Sequence, residues 1–292
     1  MARYDVITEV NKNIDVIEHI EKFNPYHDER GRFASASGYA SITNMSGKAI
    51  ITQSRISQKN VEKNVQKVRA ACSNEYSPIG KQEADVGKVK ARGGCSDEDA
   101  KKCVKLADDV FEKAAKNEPQ ITKDIVSTVA DNGGKMYGLD FRLKQPSSMA
   151  GKIAADAKED NVSYEKAASG IKDSVRYTAV FETKDFVAGY NNVKSSLEAA
   201  GYTEERCKNF FKMYENGKSC QKAVQCVYKN KDGLLFELQF HTYQTQGAKE
   251  VNHPYYEEQR QRGTTKKRYK QLNDAMTKIS SYSDVPDGVM GI

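Results

Sequence analysis

Tryptophan is absent from this 292-residue chain, proline occurs only 6 times, and no apolar run approaches the roughly 18 residues a membrane span requires. The missing span argues against a helical membrane protein. The N-terminus MARYDVITEV has neither the basic start nor the apolar stretch of a signal peptide, so the expectation is a soluble protein that remains in the cytoplasm of the cell that makes it. Zinc-ribbon and thioredoxin-like signatures are missing too. The six cysteines (Cys72, Cys95, Cys103, Cys207, Cys220, Cys226) contain no CxxC pair and lie far along the chain from the four histidines, which fits reduced structural thiols. What is present is charge: 46 Lys and Arg against 40 Asp and Glu give a formal +6, too mild to demand a nucleic-acid partner but suited to an anionic ligand such as phosphate. With 38% hydrophobic and 29% charged residues the chain is polar for a globular protein without reaching a disordered composition, so some segment is expected to pack poorly.

Residues 1–22 carry Val6, Val10, Ile14, Ile17 and Ile20 at three- and four-residue steps, the stripe of a short amphipathic helix. Phe23 to Gly38 (FNPYHDERGRFASASG) breaks that pattern and reads as an exposed linker, and residues 39–94 are polar and weakly periodic, without an assignable compact fold. Residues 1–94 are therefore read as a helical or partly disordered, poorly packed extension, 95–275 as the folded domain and 276–292 as a flexible tail. From Ser96, a plausible N-cap, Val104, Leu106, Ala107, Val110, Phe111 and Ala114 mark one helical face. A second helix is expected after Pro119, running through Ile121, Ile125 and Val129 to the stop at Asn132 to Gly134. Strands and helices then alternate: MYGLDFRLK as strand, SSMAGKIAADAKED as helix, Arg176 to Thr183 as strand, DFVAGYNNVKSSLEAAG as helix. KAVQCVYK and LLFELQFHT form a hairpin about the turn at Asn230 to Gly233. The pattern is α+β, a small mixed β-sheet flanked by helices, followed by one or two C-terminal helices with a basic stretch.

Four local patterns carry the chemistry. In FRLKQPSSMAGK a strand delivers Arg142 and Lys144, and the following helix start presents Ser148 and then Lys152, an arrangement that suits a polyphosphate and that elsewhere is simply a solvated basic turn. Asp173 and Arg176 precede and open a buried-looking strand, placed either for Mg²⁺ and phosphate or for an ion pair. Glu237 alternates with Phe236, Leu238 and Phe240, and so lies on the opposite strand face from them. It is a second acidic group for the site if that face lines a cleft, and of no consequence if the face is wet. His253, in AKEVNHPYYEEQR, is placed to reach a phosphate or to cap the fold.

Taken in order, these patterns resemble the synthetase domain of RelA/SpoT-type alarmone enzymes over about 120 residues, Tyr137 to Arg260. That family grips ATP with R-x-K-x-x-x-S-hydrophobic-x-x-K, and Arg142, Lys144, Ser148, Met149 and Lys152 stand at those places. Its metal-binding aspartate before a strand arginine matches Asp173 and Arg176, with an interval two residues shorter. Its EVQIRT strand resembles ELQFHT, so Glu237 and Gln239 carry over and His241 replaces an arginine; a downstream A-x-H-x-x-Y helix resembles the stretch with His253 and Tyr256. One departure concerns the acceptor: the family's guanine-stacking Tyr and Gly-Tyr segment are replaced by YENGKSCQKAVQ, which offers Gln221 and Lys222, with Tyr214 the nearest aromatic and Tyr228 less well placed.

The resemblance implies a nucleotidyltransferase-like fold and Mg²⁺-dependent transfer of pyrophosphate from ATP to the ribose 3′-hydroxyl of a purine nucleotide. Asp173 and Glu237 would be catalytic and metal-binding, Arg142, Lys144, Ser148, Lys152, Arg176 and His253 would bind ATP, and Tyr214, Lys222, Gln239 and His241 would bind the acceptor. No HD-type hydrolase signature accompanies them, so synthesis without the reverse hydrolysis is expected, with growth arrest of a bacterial host as the consequence. FNPYHDERGRF also resembles a short segment of tailed-phage head-morphogenesis and minor capsid proteins, which implies phage head or portal partners and a virion-associated location. Two other functions stay open: pyrophosphorylation of the tRNA 3′ end by the same fold, with Arg260 to Lys270 touching phosphates, and a structural virion component whose site has decayed.

Overall fold

A computed structural model describes residues 56–260 and 263–292. The helix expected over residues 1–22 and the phage-like segment lie outside the described residues. The chain divides into two compact units, one comprising Ala71–Lys212, Ala223–Thr242 and Pro286–Ile292, the other Met213–Lys222 and Tyr243–Val285 with the chain up to Ala70.

The larger unit is α+β, as the alternation of elements implies. Its five strands are β1 (Lys135–Met136), β2 (Arg176–Phe181), β3 (Thr203–Asn209), β4 (Val224–Lys229) and β5 (Leu235–Thr242), in the order β1-β2-β5-β4-β3. The β2–β5 pair is parallel and the other pairs are antiparallel. Side chains alternate faces along a strand, so Tyr177, Ala179 and Phe181, with Phe236, Leu238, Phe240, Val224, Cys226 and Tyr228, enter one apolar core, where Phe236 packs edge-on against Tyr177 and Tyr202. The opposite face carries Arg176, Thr178, Gln225, Glu237 and Gln239.

The core is closed by helices α2 (Val86–Gly93), α3 (Asp97–Asp131), α4 (Pro146–Glu159), α5 (Tyr164–Ser169) and α6 (Phe186–Ala199). The break expected before Pro119 is absent: α3 runs for 35 residues through it. Pro119 lacks one amide donor, but Ala100, Cys103, Ala107, Phe111, Ala114, Ile121, Ile125 and Val129 are all buried along the same helix, so a continuous apolar face outweighs one lost bond. Ser96 caps that helix as expected, accepting from the Asp99 amide at 3.1 Å. The expected strand MYGLDFRLK is mostly not a strand: Met136 belongs to the two-residue β1, Leu143 makes an isolated bridge to Val175, and between them Leu139–Phe141 form a 3₁₀ turn behind Gly138, whose φ of 68° favours glycine.

The described residues of the smaller unit are mainly helical. α1 (Gln58–Ala71), α8 (Tyr243–Gln259) and α9 (Lys266–Ser280) enclose Val61, Val251, Tyr255, Leu272, Met276 and Ile279. A Cβ on Gly247 would meet the Val65 backbone nitrogen at 2.9 Å, so only glycine permits the close approach of α1 and α8. Weak periodicity in residues 39–94 conceals α1 and α2 because each buries very little, Val61, Asn64 and Val68 in the first and Val89 and Gly93 in the second. Between β3 and β4 runs the short helix α7 (Phe210–Glu215). Of residues 276–292, the first five complete α9, and Val289 is fully buried in the larger unit, its carbonyl accepting from Asn209 at 2.7 Å.

Candidate functional site

Backbone pairing builds the site. Leu143 bridges Val175 in antiparallel fashion, the Lys144 amide donates to the Ser174 carbonyl at 2.9 Å, and the Arg176 amide donates to the Arg142 carbonyl at 2.8 Å. Residues 142–144 are thereby laid beside 174–176. Gln145 is extended and Pro146 takes the first helical position, so the chain turns directly into α4. Two turns of that helix deliver Lys152.

The result is a partly buried carboxylate among cations. Lys144 Nζ lies 2.5 Å from Asp173 Oδ2, with the two side chains only 9% and 22% exposed. Asp173 Oδ1 is buried and has no hydrogen-bond partner. Burial by itself would raise the Asp173 pKa, but the charge and hydrogen bond of Lys144, then the charges of Lys152 and Arg176, outweigh it and hold the carboxyl below its usual range. For Lys144 burial wins: desolvation, helped by Arg176 and Lys152 and opposed by Asp173, brings its pKa down to about 8. Lys152 is 31% exposed and also pairs with Asp156 at 3.2 Å. Ser148 is exposed in the first turn of α4, where its carbonyl accepts from Arg92 at 3.4 Å.

Glu237 stands one strand over. In the parallel β2–β5 register it is the partner of Arg176, and Gln239 is the partner of Thr178. These side chains share the face opposite the aromatic core. Glu237 is buried at 9% exposure, and both of its oxygens accept amide hydrogen bonds, one from Gln225 and one from Gln239. Gln225 was not singled out in the sequence; its role depends on the β4–β5 register, in which it lies opposite Gln239, and no local motif announces that.

Arg142 is placed differently from the expectation. Its guanidinium is 2% exposed and turned into the interior, bonded to Glu118, to Thr122 Oγ1 at 3.1 Å, and to the Leu139 and Ser77 carbonyls at 2.8 Å each, with Tyr76 packed over it. Glu118 also accepts from Thr122, whose hydroxyl is 2.7 Å from that of Tyr177. The side chain two residues before Lys144 thus fastens α3 to the sheet. Sequence inspection missed Glu118 because it sits within a long, otherwise ordinary helix.

The remaining candidates fall into two groups. His241 (1% exposed) belongs to β5, and Tyr228 is fully buried in the aromatic core. Tyr214, Lys222 and His253 belong to the helical unit. There Lys222 Nζ lies 4.6 Å from the Tyr214 ring and donates to the Ser283 carbonyl at 2.7 Å, while the Tyr214 hydroxyl donates to the Thr277 carbonyl at 3.1 Å. His253 Nε2 lies 3.9 Å from Glu257.

The Asp173 donor set is compatible with a hard divalent cation. Mg²⁺ takes oxygen ligands and binds through one or two carboxylates plus substrate phosphates, and the unbonded, buried Oδ1 is an acceptor to which the protein itself gives no donor.

No protein-family model matches the sequence, and no curated protein is significantly similar to it. Among solved structures, the complex between the Type VI effector Tas1 and its immunity protein is similar at 14% identity over 61% of this chain and 97% of that one, with a TM-score of 0.39.

Proposed function

We propose that this protein is an ATP-dependent pyrophosphokinase that transfers the β,γ-pyrophosphoryl group of ATP to a ribose hydroxyl of a purine nucleotide. The observation that carries the reading is the Asp173 carboxylate, partly buried, ringed by Lys144, Lys152 and Arg176, and with its buried Oδ1 left without a hydrogen bond. Keeping a charged group in that state costs stability unless a ligand completes it, and perturbed carboxylates of this kind concentrate at functional sites. The resemblance to RelA/SpoT synthetases runs through the same residues.

In the proposed reaction the acceptor oxygen attacks the β-phosphorus, the bond from the α,β-bridging oxygen to that phosphorus breaks, and AMP leaves. The hydroxyl proton passes to a carboxylate or to solvent. Lys144, Lys152 and Arg176 hold the polyphosphate and offset charge on its oxygens. Glu237, fixed by Gln225 and Gln239 and next to Arg176 across the strand pair, is the group proposed to orient or deprotonate the acceptor. Asp173 Oδ1 and Glu237 would hold Mg²⁺, which supplies Lewis-acid neutralisation of phosphate oxygens when bound. Arg142 is given a positioning part, since it fixes the segment that presents Lys144.

The test is incubation with γ-labelled ATP and Mg²⁺ in separate reactions with GDP, GTP, ADP, AMP and deacylated tRNA. Label on a purine nucleotide, with AMP released in equal amount, is the expected outcome. Label on tRNA alone would move the acceptor to nucleic acid, and label on nothing, with AMP unreleased by folded protein, would refute the reading.

A further inference from the structure

At the far edge of the sheet from β2 lies a second grouping of ligating side chains. The carboxylate of Glu204 and the thiols of Cys207 and Cys226 place one donor atom each within 4.8 Å of one another. Cys207 and Cys226 face each other directly in the antiparallel β3–β4 register. Glu204 and Cys207 are three residues apart and would point to opposite faces of a regular strand, but the register shifts between Glu204 and Arg206, and that irregularity turns both toward the face on which Cys226 lies. Irregularities of this type commonly re-aim a side chain for use.

We propose that Glu204, Cys207 and Cys226 form a binding site for a thiophilic divalent ion of the Zn²⁺ class, with solvent as fourth ligand. Around a tetrahedral ion with metal–sulfur bonds of about 2.3 Å and metal–oxygen bonds of about 2.0–2.2 Å, donor atoms stand on the order of 3.5 Å apart, so modest side-chain rotation brings the three into place. Two thiolates and one carboxylate carry one negative charge in excess of the ion. Lys194 Nζ, 3.1 Å from Glu204, balances it. Two soft sulfur donors select this class of ion over Mg²⁺. The entry route is from solvent, because Glu204 and Cys207 are only partly buried whereas Cys226 is fully enclosed. Around the site the Tyr190 hydroxyl lies 3.6 Å from Cys207 Sγ and the Tyr228 hydroxyl 3.4 Å from Glu204, an outer layer that orients the donors. A bound ion would tie β3, the edge strand whose exposed residues are mostly charged, to β4.

The experiment uses the full chain, reduced and stripped with chelator. Cd²⁺ is titrated while the thiolate-to-metal charge-transfer absorbance is read, and Zn²⁺ affinity is measured by competition with a chromophoric chelator. One equivalent of Cd²⁺ should bind with a charge-transfer band that C207S abolishes, E204Q should weaken Zn²⁺ binding about tenfold or more, and C220S, outside the grouping, should leave both unchanged. Zn²⁺ should raise the Tm of wild type and leave that of C207S unmoved. Cys226 is in the core, so C226S is read only after circular dichroism shows it folded, and the decision rests on C207S. Absence of the band in reduced wild type, or its retention in folded C207S, overturns the proposal, as does an equal Zn²⁺ effect on Tm in both proteins.

Discussion

Glu118 and Asp173 each pair with a cation in the larger unit, and they differ in how much positive charge surrounds them and in how their partners are satisfied. Glu118 is enclosed with Arg142, and Thr122 and the Leu139 and Ser77 carbonyls complete the network around them. Asp173 is enclosed with Lys144, has two further cations acting on it, and keeps one oxygen without a hydrogen bond. A buried pair with a single cation, whose guanidinium also finds a hydroxyl and two carbonyls inside the fold, is architecture: its desolvation cost is offset within the structure. A carboxylate under three cationic charges, with a buried oxygen left unbonded, fits the proposed role of meeting a ligand that arrives from outside. The two sites draw on the same short segment, since Arg142 and Lys144 are separated by one residue and the chain assigns them to opposite duties.

The contrast can be broken most forcefully at the Asp173 end. D173N and E237Q should each lower turnover by about 10³-fold or more while the protein stays folded, because transition-state contacts of this type are worth factors of that order; steady-state assay beside circular dichroism decides it, and a rate within a few-fold of wild type for either removes that residue from the site. At the other end, E118A strands a buried guanidinium and should cost about 3–5 kcal/mol of stability. Urea unfolding measures that loss, and an unchanged midpoint would show that the network is not structural.

A smaller effect separates the cations. K152M should raise KM for ATP about tenfold with a lesser change in kcat, since a partly exposed ammonium contributes mainly to ground-state phosphate binding. The finest distinction is one of pH. Lys144, with its pKa brought down to about 8, is charged below that value and neutral above it, and a bound polyphosphate favours the charged form. ATP affinity should therefore fall as pH rises through about 8. K144R, always cationic, should flatten that limb in an equilibrium titration; a wild-type affinity constant between pH 7 and 9.5 would contradict the assignment.

The cationic corner was legible in the sequence because its parts are local: FRLKQPSSMAGK compresses two cations, a turn and a helix start into a dozen residues, and Asp173 and Arg176 bracket a strand start. What the spacing concealed was direction. Arg142 and Lys144 read alike on paper, and only Glu118, 24 residues earlier, draws one of them inward. The same limit explains β3, whose sequence TEERCKN is too polar to announce a strand because, as the sheet's edge, it needs to bury little. It also explains the thiols: Cys207 and Cys226 are far apart along the chain and match no ligand spacing, yet cross-strand register sets them face to face. Pro119 gave a stop signal that a continuous buried face overrode.

The central claim, that Asp173 is completed by a divalent cation arriving with ATP, is tested most directly by calorimetric titration of a non-hydrolysable ATP analogue into wild type and D173N, each with and without Mg²⁺. The account predicts that Mg²⁺ tightens binding to wild type at least about tenfold and does nothing for D173N. Equal Mg²⁺ dependence in the two proteins, or none in wild type, would contradict it.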